Sequence, residues 1–306
     1  MIWLHRYTRL LVCATLLLVA AGGMVTSTSS GLSVPDWPTT YGYSMFSFPV
    51  SRMVGGIFYE HGHRLIASTV GLLTIGLVAI LWRVDPRRWM RRLGLIALAA
   101  VILQGVLGGI TVLYLLPAPI SIGHAGLAQL FFGLTVSMAL FTSRSWRAPA
   151  VPPVDDATLR WRVAAVSVAI YAQILIGATM RHLGAGLAIP DFPLAFGRLV
   201  PPTWSTQIAV HFTHRVIALI VTGWIAANGA YVWRHHRDRG ELVRPSLLLI
   251  LAVLVQATLG ALVVLTAKQP LVNTLHVATG AIVFGTSLLI ALRAFRVRFA
   301  VPVLST

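Results

Sequence analysis

The stretch Tyr59-Glu60-His61-Gly62-His63-Arg64-Leu65-Ile66-Ala67 opens a long apolar run. A related stretch, His211-Phe212-Thr213-His214-Arg215-Val216-Ile217-Ala218, opens another run half a chain later. Runs of this length read as membrane-crossing helices. A carboxylate, imidazoles and a guanidinium at their edge are costly to keep there and mark a functional site.

The surrounding composition agrees. Of 306 residues, 57% are hydrophobic and 10% are charged, with a mean hydropathy of +0.82. Soluble domains carry roughly 25% charged residues, so the chain reads as an integral membrane protein. The net charge of +16 would suit nucleic acid, but the basic residues lie in short clusters between apolar runs, a topogenic pattern and not a groove. The single cysteine, Cys13, excludes an internal disulfide and a Cys-based metal site. The N-terminal run is long enough to span and Ala20-Ala21-Gly22 is a weak cleavage signal, so it reads as a retained first helix.

Eight spans are expected, at 8–26, 58–82, 92–115, 120–142, 161–181, 208–233, 245–266 and 271–293. The segments Arg83–Arg92, Ser143–Arg162 and Arg234–Arg244, with the two ends, hold most of the 24 basic residues. The positive-inside rule puts them in the cytoplasm, together with both termini.

The same pass shows a repeat. Gly31-Leu32-Ser33-Val34-Pro35-Asp36-Trp37-Pro38 and Gly42 match Gly186-Leu187-Ala188-Ile189-Pro190-Asp191-Phe192-Pro193 and Gly197. His63-Arg64 matches His214-Arg215, Gln104 matches Gln256, and His124 matches His276. Four helices per copy preserve orientation, so the expected fold is all-α, with two tandem four-helix bundles (1–150 and 151–306) related by a parallel repeat.

This topology puts His63, His124, His214 and His276 at similar depth near the outer leaflet, because helices rise about 1.5 Å per residue. Within each half the two histidines can face one another, the usual way to grip a haem iron axially. One membrane histidine more often just bonds a neighbouring helix, but four at equal depth in two copies favour ligation. Zinc would be under-coordinated by two histidines and at most one carboxylate. Arg64 and Arg215 either snorkel as anchors or fork onto haem propionates, and their repetition beside the histidines favours propionates. Gln104 and Gln256 read as helix-to-helix hydrogen-bonding groups. His61 points away from His63, and His5, His182, His235 and His236 carry no assigned role.

Glu60 is the one acidic residue that enters a membrane helix, three residues before His63 and on its face. His211 holds the matching place in the second half. Glu60 is either an interfacial partner of an arginine or a carboxylate acting as base or nucleophile beside a haem edge.

Together, Glu60-x-x-His63-Arg64, His124, His214-Arg215, His276 and the Gly31-Leu-Ser-x-Pro-Asp-Trp-Pro segment resemble the haem A synthase family over almost the full chain. The resemblance implies an eight-helix oxidoreductase that converts the C8 methyl of haem O to a formyl, giving haem A for haem-copper terminal oxidases. It implies haem b as cofactor in one half, on His214 and His276 with Arg215, and haem O as substrate in the other. There His63 and His124 would ligate, beside Arg64, with Glu60 catalytic. It further implies a bacterial-type inner membrane, lipid contact and no nucleic acid. The partners to test are a haem O synthase, a membrane electron donor or acceptor, and a second copy of the chain. With both histidines on the iron no position is open to oxygen, so Glu60 or a water it activates would trap the oxidised methyl carbon, or one histidine must leave. Two departures stand out: the outer-loop cysteine pair of many members is missing, and Thr26 stands where the family often has Arg, while Arg181 keeps that place in the second half. The competing reading is a di-haem b, quinol-linked electron-transfer cytochrome. Such carriers stack haems towards opposite leaflets, whereas here all four histidines lie on one side.

Overall fold

The computed structural model describes residues 2–147 and 152–296. The expected division of the chain at residue 150 lies outside the described residues. Among the described residues, eight helices are long and apolar enough to cross a membrane. They are α1 (Ile2–Ser27), α2 (Gly56–Val84), α3 (Arg88–Leu113), α4 (Ala118–Thr142), α5 (Ala157–His182), α6 (Thr206–His235), α7 (Gly240–Leu265) and α8 (Pro270–Ala294). A single turn, Arg144–Arg147, follows α4, and short 3-10 turns at Val50–Arg52 and Ala185–Leu187 lie in the two long loops.

Most helices overrun the apolar stretches that announce them. α1 starts at Ile2 where 8 was expected, and His182, expected in a loop, is the last residue of α5. Apolar counting finds only the part that crosses hydrocarbon, whereas helical hydrogen bonding continues into the interface, where long basic and aromatic side chains keep their polar ends in water.

Packing closes each consecutive group of four helices into a ring. In the first, α1 touches α2 and α4, and α3 touches α2 and α4; α5 to α8 are arranged the same way. The rings meet where α1 lies on α8 and where α4 lies on α5 and α8. Small residues allow the close approach there: Gly126 faces Leu175 and Tyr171, Gly133 faces Phe284 and Leu288, and Gly285 faces Phe132. Ser287 bonds Ser167 at 3.1 Å within the second ring, and Asn273 bonds Ser27 at 2.9 Å between rings. Leucines and isoleucines on the outside of the rings, such as Leu72, Ile102, Leu219 and Leu251, are exposed, as a lipid-facing surface requires.

Candidate functional site

The loops Thr28–Gly55 and Leu183–Ser205 lie at the same end of the two rings and share a turn. Tyr41 and Gly42 in one, and Phe196 and Gly197 in the other, adopt positive φ. Thr40 pairs with Tyr43 and Ala195 with Arg198 across these turns. Two successive left-handed residues make the tight reversal, and glycine takes the second without strain. Asp36 holds its turn by accepting the Tyr41 and Gly42 N–H groups at 2.7 and 2.9 Å. Asp191 accepts those of Phe196 and Gly197 at 2.7 and 2.8 Å. Burial alone would raise the Asp36 pKa, but the bonds from Gly42, Thr39 and Tyr41 outweigh it and hold the group at about 2. The backbone bonds from Gly197 and Phe196 likewise depress Asp191.

Arg64 and Arg215 fasten these loops to the helices below. Arg64 donates to the carbonyls of Asp36, Thr39 and Val34 at 2.8, 3.0 and 2.9 Å, and to Glu60 Oε1 at 2.8 Å. Arg215 donates to the carbonyls of Leu194, Ile189 and Asp191 at 3.0, 3.1 and 2.8 Å, and its Nε lies 3.1 Å from His211 Nε2. Glu60 is 4% exposed, and its second oxygen accepts the Val34 N–H at 2.8 Å. His211, 3% exposed, takes the equivalent place with Nδ1 3.2 Å from Ile189 N. A carboxylate satisfies both donors at once, whereas a neutral imidazole has one acceptor nitrogen and satisfies one of them at a time. His61, which sequence reasoning left without a role, is buried under the first loop, with Nδ1 3.0 Å from Thr40 Oγ1 and its ring against Phe48.

Inside the rings lie the four histidines, each about two turns into its helix at the loop-covered end. His63 on α2 neighbours His124 on α4, and His214 on α6 stands in the same relation to His276 on α8. Every ring is backed by a glycine of a neighbouring helix. A Cβ built on Gly22, Gly177, Gly108 or Gly260 would lie 3.1, 3.0, 3.5 or 3.1 Å from the Cε1 of His63, His214, His124 or His276. Nothing about the four glycines in sequence distinguishes them from ordinary helix-packing glycines; their only trace is that Gly22 and Gly177, and Gly108 and Gly260, fall at matching positions of the two halves.

The two pairs differ in their support. Gln173 Nε2 donates to the His214 carbonyl at 2.8 Å and lies 3.1 Å from His214 Nδ1. His276 Nδ1 lies 3.2 Å from the Gln256 carbonyl, and its Nε2 lies 3.3 Å from the Gln256 amide nitrogen. That carbonyl can only accept, so it fixes the Nδ1–H tautomer, and the Nε2 lone pair here accepts from the Gln256 amide. His63 Nδ1 and His124 Nδ1 are buried with no partner in hydrogen-bonding geometry, the His124 ring facing the Gln104 carbonyl only loosely. No cluster of three or more His, Cys, Asp or Glu side chains suited to a metal ion occurs among the described residues. His5, His235 and His236 lie at the opposite end, where His236 pairs with Asp156 at 2.9 Å.

With two facing histidine pairs beneath two clamped loops established, comparison with known proteins decides the family. Residues 5–288 match the family model described as cytochrome oxidase assembly protein (COX15-CtaA). The chain belongs to this family. Members similar to it include the heme A synthase of Geobacillus kaustophilus, 27% identical with 94% of this chain and 90% of the relative covered. That of Symbiobacterium thermophilum is 29% identical with 85% of each covered. That of Shouchella clausii is 30% identical with 84% and 85% covered. In this member of the COX15-CtaA family, the histidines expected from sequence occupy the ring interiors, and the two arginines expected beside them face the loops.

Proposed function

We propose that this chain is a haem A synthase that oxidises the C8 methyl of haem O to a formyl, and that its two rings are tandem copies with divided tasks. The observation that carries this reading is the pair of facing histidines in each ring with a glycine behind every imidazole. Two neutral imidazoles in a bundle core, with no third donor and room made by glycine, suit axial ligation of a haem iron. The names of the relatives favour the synthase over an electron-transfer cytochrome.

His63 and His124 would hold the haem O substrate, and His214 and His276 would hold a resident haem b. Bound there, haem b supplies electron transfer, the chemistry that no side chain of this protein can perform. The two pairs also differ in support: His214 and His276 have the Gln173 and Gln256 amides beside them, and the first pair has no such amide in hydrogen-bonding geometry. Glu60 belongs to the first ring only. Its two oxygens are aligned by Arg64 and Val34, and each keeps a further lone pair able to accept a proton or polarise a water. The clamped loops cover the end at which both pairs lie. The enzyme would sit in a bacterial-type inner membrane with basic loops and termini in the cytoplasm and both haem sites near the outer leaflet.

The test is a Glu60→Ala variant produced beside a haem O source. It should retain haem b, accumulate haem O and form no haem A. Haem A formation at the wild-type rate in that variant would refute the role of Glu60.

A further inference from the structure

Arg215, the arginine that sequence places beside a haem ligand, spends its guanidinium on three loop carbonyls and His211. Another cation is positioned differently. Arg181 lies in the last turn of α5, and only Nη1 has a hydrogen bond, to Thr26 Oγ1 on α1 at 2.8 Å. Its Nε is buried with no partner, and no carboxylate among the described residues pairs with it. A guanidinium nitrogen buried without a partner or counter-charge is expensive to keep unless an anion arrives.

Helix geometry shows where that anion would sit. Gln173, Gly177 and Arg181 follow at intervals of one turn on one face of α5. The first bonds His214 and the second backs its ring, so Arg181 stands about 6 Å beyond that contact towards the loop end. At about 100° per residue, Arg181 is turned about 40° from Gly177, towards the direction in which Ser167 meets Ser287 of α8. Its Cα therefore faces between the helices that carry His214 and His276, at the mouth of the second ring, while its guanidinium reaches Thr26 of α1 where the rings meet. The position matching Arg181 in the first ring is Thr26, and the one matching Gln173 is Leu18, so the first ring has neither group.

We infer that Arg181 is the carboxylate-binding residue of the second ring, pairing through Nε with a propionate of the haem held there, while Arg64 and Arg215 serve as loop clamps. The inference rests on the assignment of a haem to His214 and His276. Haem b and its dimethyl ester share iron and macrocycle and differ only at the propionates, so they separate a propionate from any lipid or buffer anion bound at the same place.

The full-length protein in detergent is loaded with each pigment, and loss from the second ring, identified as the absorbance abolished by His214→Ala, is followed by transfer to an excess of an apo-haem protein. The wild type should release the ester at least about 10-fold faster than haem b. Arg181→Gln should release haem b about 10- to 100-fold faster, the usual loss for a supporting residue, and no longer distinguish the two. Arg181→Lys should restore part of the difference, and Thr26→Ala, which removes only the α1 contact, should keep all of it. Full discrimination in Arg181→Gln, or equal effects of Thr26→Ala and Arg181→Gln, would reduce Arg181 to a staple between helices and overturn the inference. A wild type with no His214-dependent haem would instead remove the assignment on which it rests.

Discussion

The Glu60 carboxylate accepts the Arg64 guanidinium at 2.8 Å one helical turn away, and both are pinned to Val34 of the loop above. Arg215 and His211 repeat the relationship against Ile189, with the carboxylate replaced by an imidazole. The two positions thus share a mechanical task, and only the first ring has a carboxylate there.

Glu60→His recreates the second ring's clamp in the first. It should leave the loop closed and the protein folded, at a cost of about 3 kcal/mol in stability because the buried Arg64 loses its counter-charge and keeps only neutral acceptors. Haem A formation should cease. Extracted haem from cells supplied with haem O, alongside thermal melting of the purified protein, checks both halves of the expectation.

A side chain on a glycine behind a histidine should evict that imidazole. In Gly177→Val the Cβ alone would lie 3.0 Å from His214 Cε1, and overpacking of this kind costs about 1–3 kcal/mol. The second ring should lose its bis-imidazole haem signal while the first keeps its own, and Gly22→Val should do the reverse. Low-temperature electron paramagnetic resonance of the ferric protein reads the two signals separately.

The eight helices and the histidine pairs were legible because apolar length and the regular return of His-Arg are sequence patterns. The loop contacts of Arg64 and Arg215 were not, since their acceptors are backbone carbonyls of Val34, Asp36 and Thr39, or of Ile189, Asp191 and Leu194, and a carbonyl has no residue-specific signature. Gln173 escaped for another reason. Comparing copies draws attention to what recurs, and its counterpart Leu18 is apolar. His61 was correctly turned away from His63 on the helix, but its contact with Thr40 depends on the path of a loop that hydropathy says nothing about.

Gln173→Leu makes the second ring resemble the first. His214 loses its amide contact, so its haem should dissociate about 10- to 100-fold faster, and the midpoint potential of that haem should shift. Leu18→Gln in the first ring should slow the release of haem O. Potentiometric titration and pigment transfer together distinguish a change at the histidine from general loosening of the bundle, which would move both rings.

Acid should open the first loop. Asp36 is held at about 2 against an ordinary 3.8, so its folded pKa is depressed. The stabilisation it gives is complete above about 4 and declines as pH falls towards 2. Asp191 is shifted in the same direction. Proteolysis of the loop after Thr39 should accelerate between pH 5 and pH 3 in the wild type, whereas Asp36→Asn should be cut readily at both values and show little change.

The division of labour between the rings is tested most directly by extracting the haems of two purified double variants made beside a haem O source. His63→Ala/His124→Ala should retain haem b and lack haem O and haem A. His214→Ala/His276→Ala should lose haem b while haem O stays in the first ring. Loss of the same haem from both variants, or a wild type that yields haem b alone, would contradict a substrate ring and a cofactor ring in one chain.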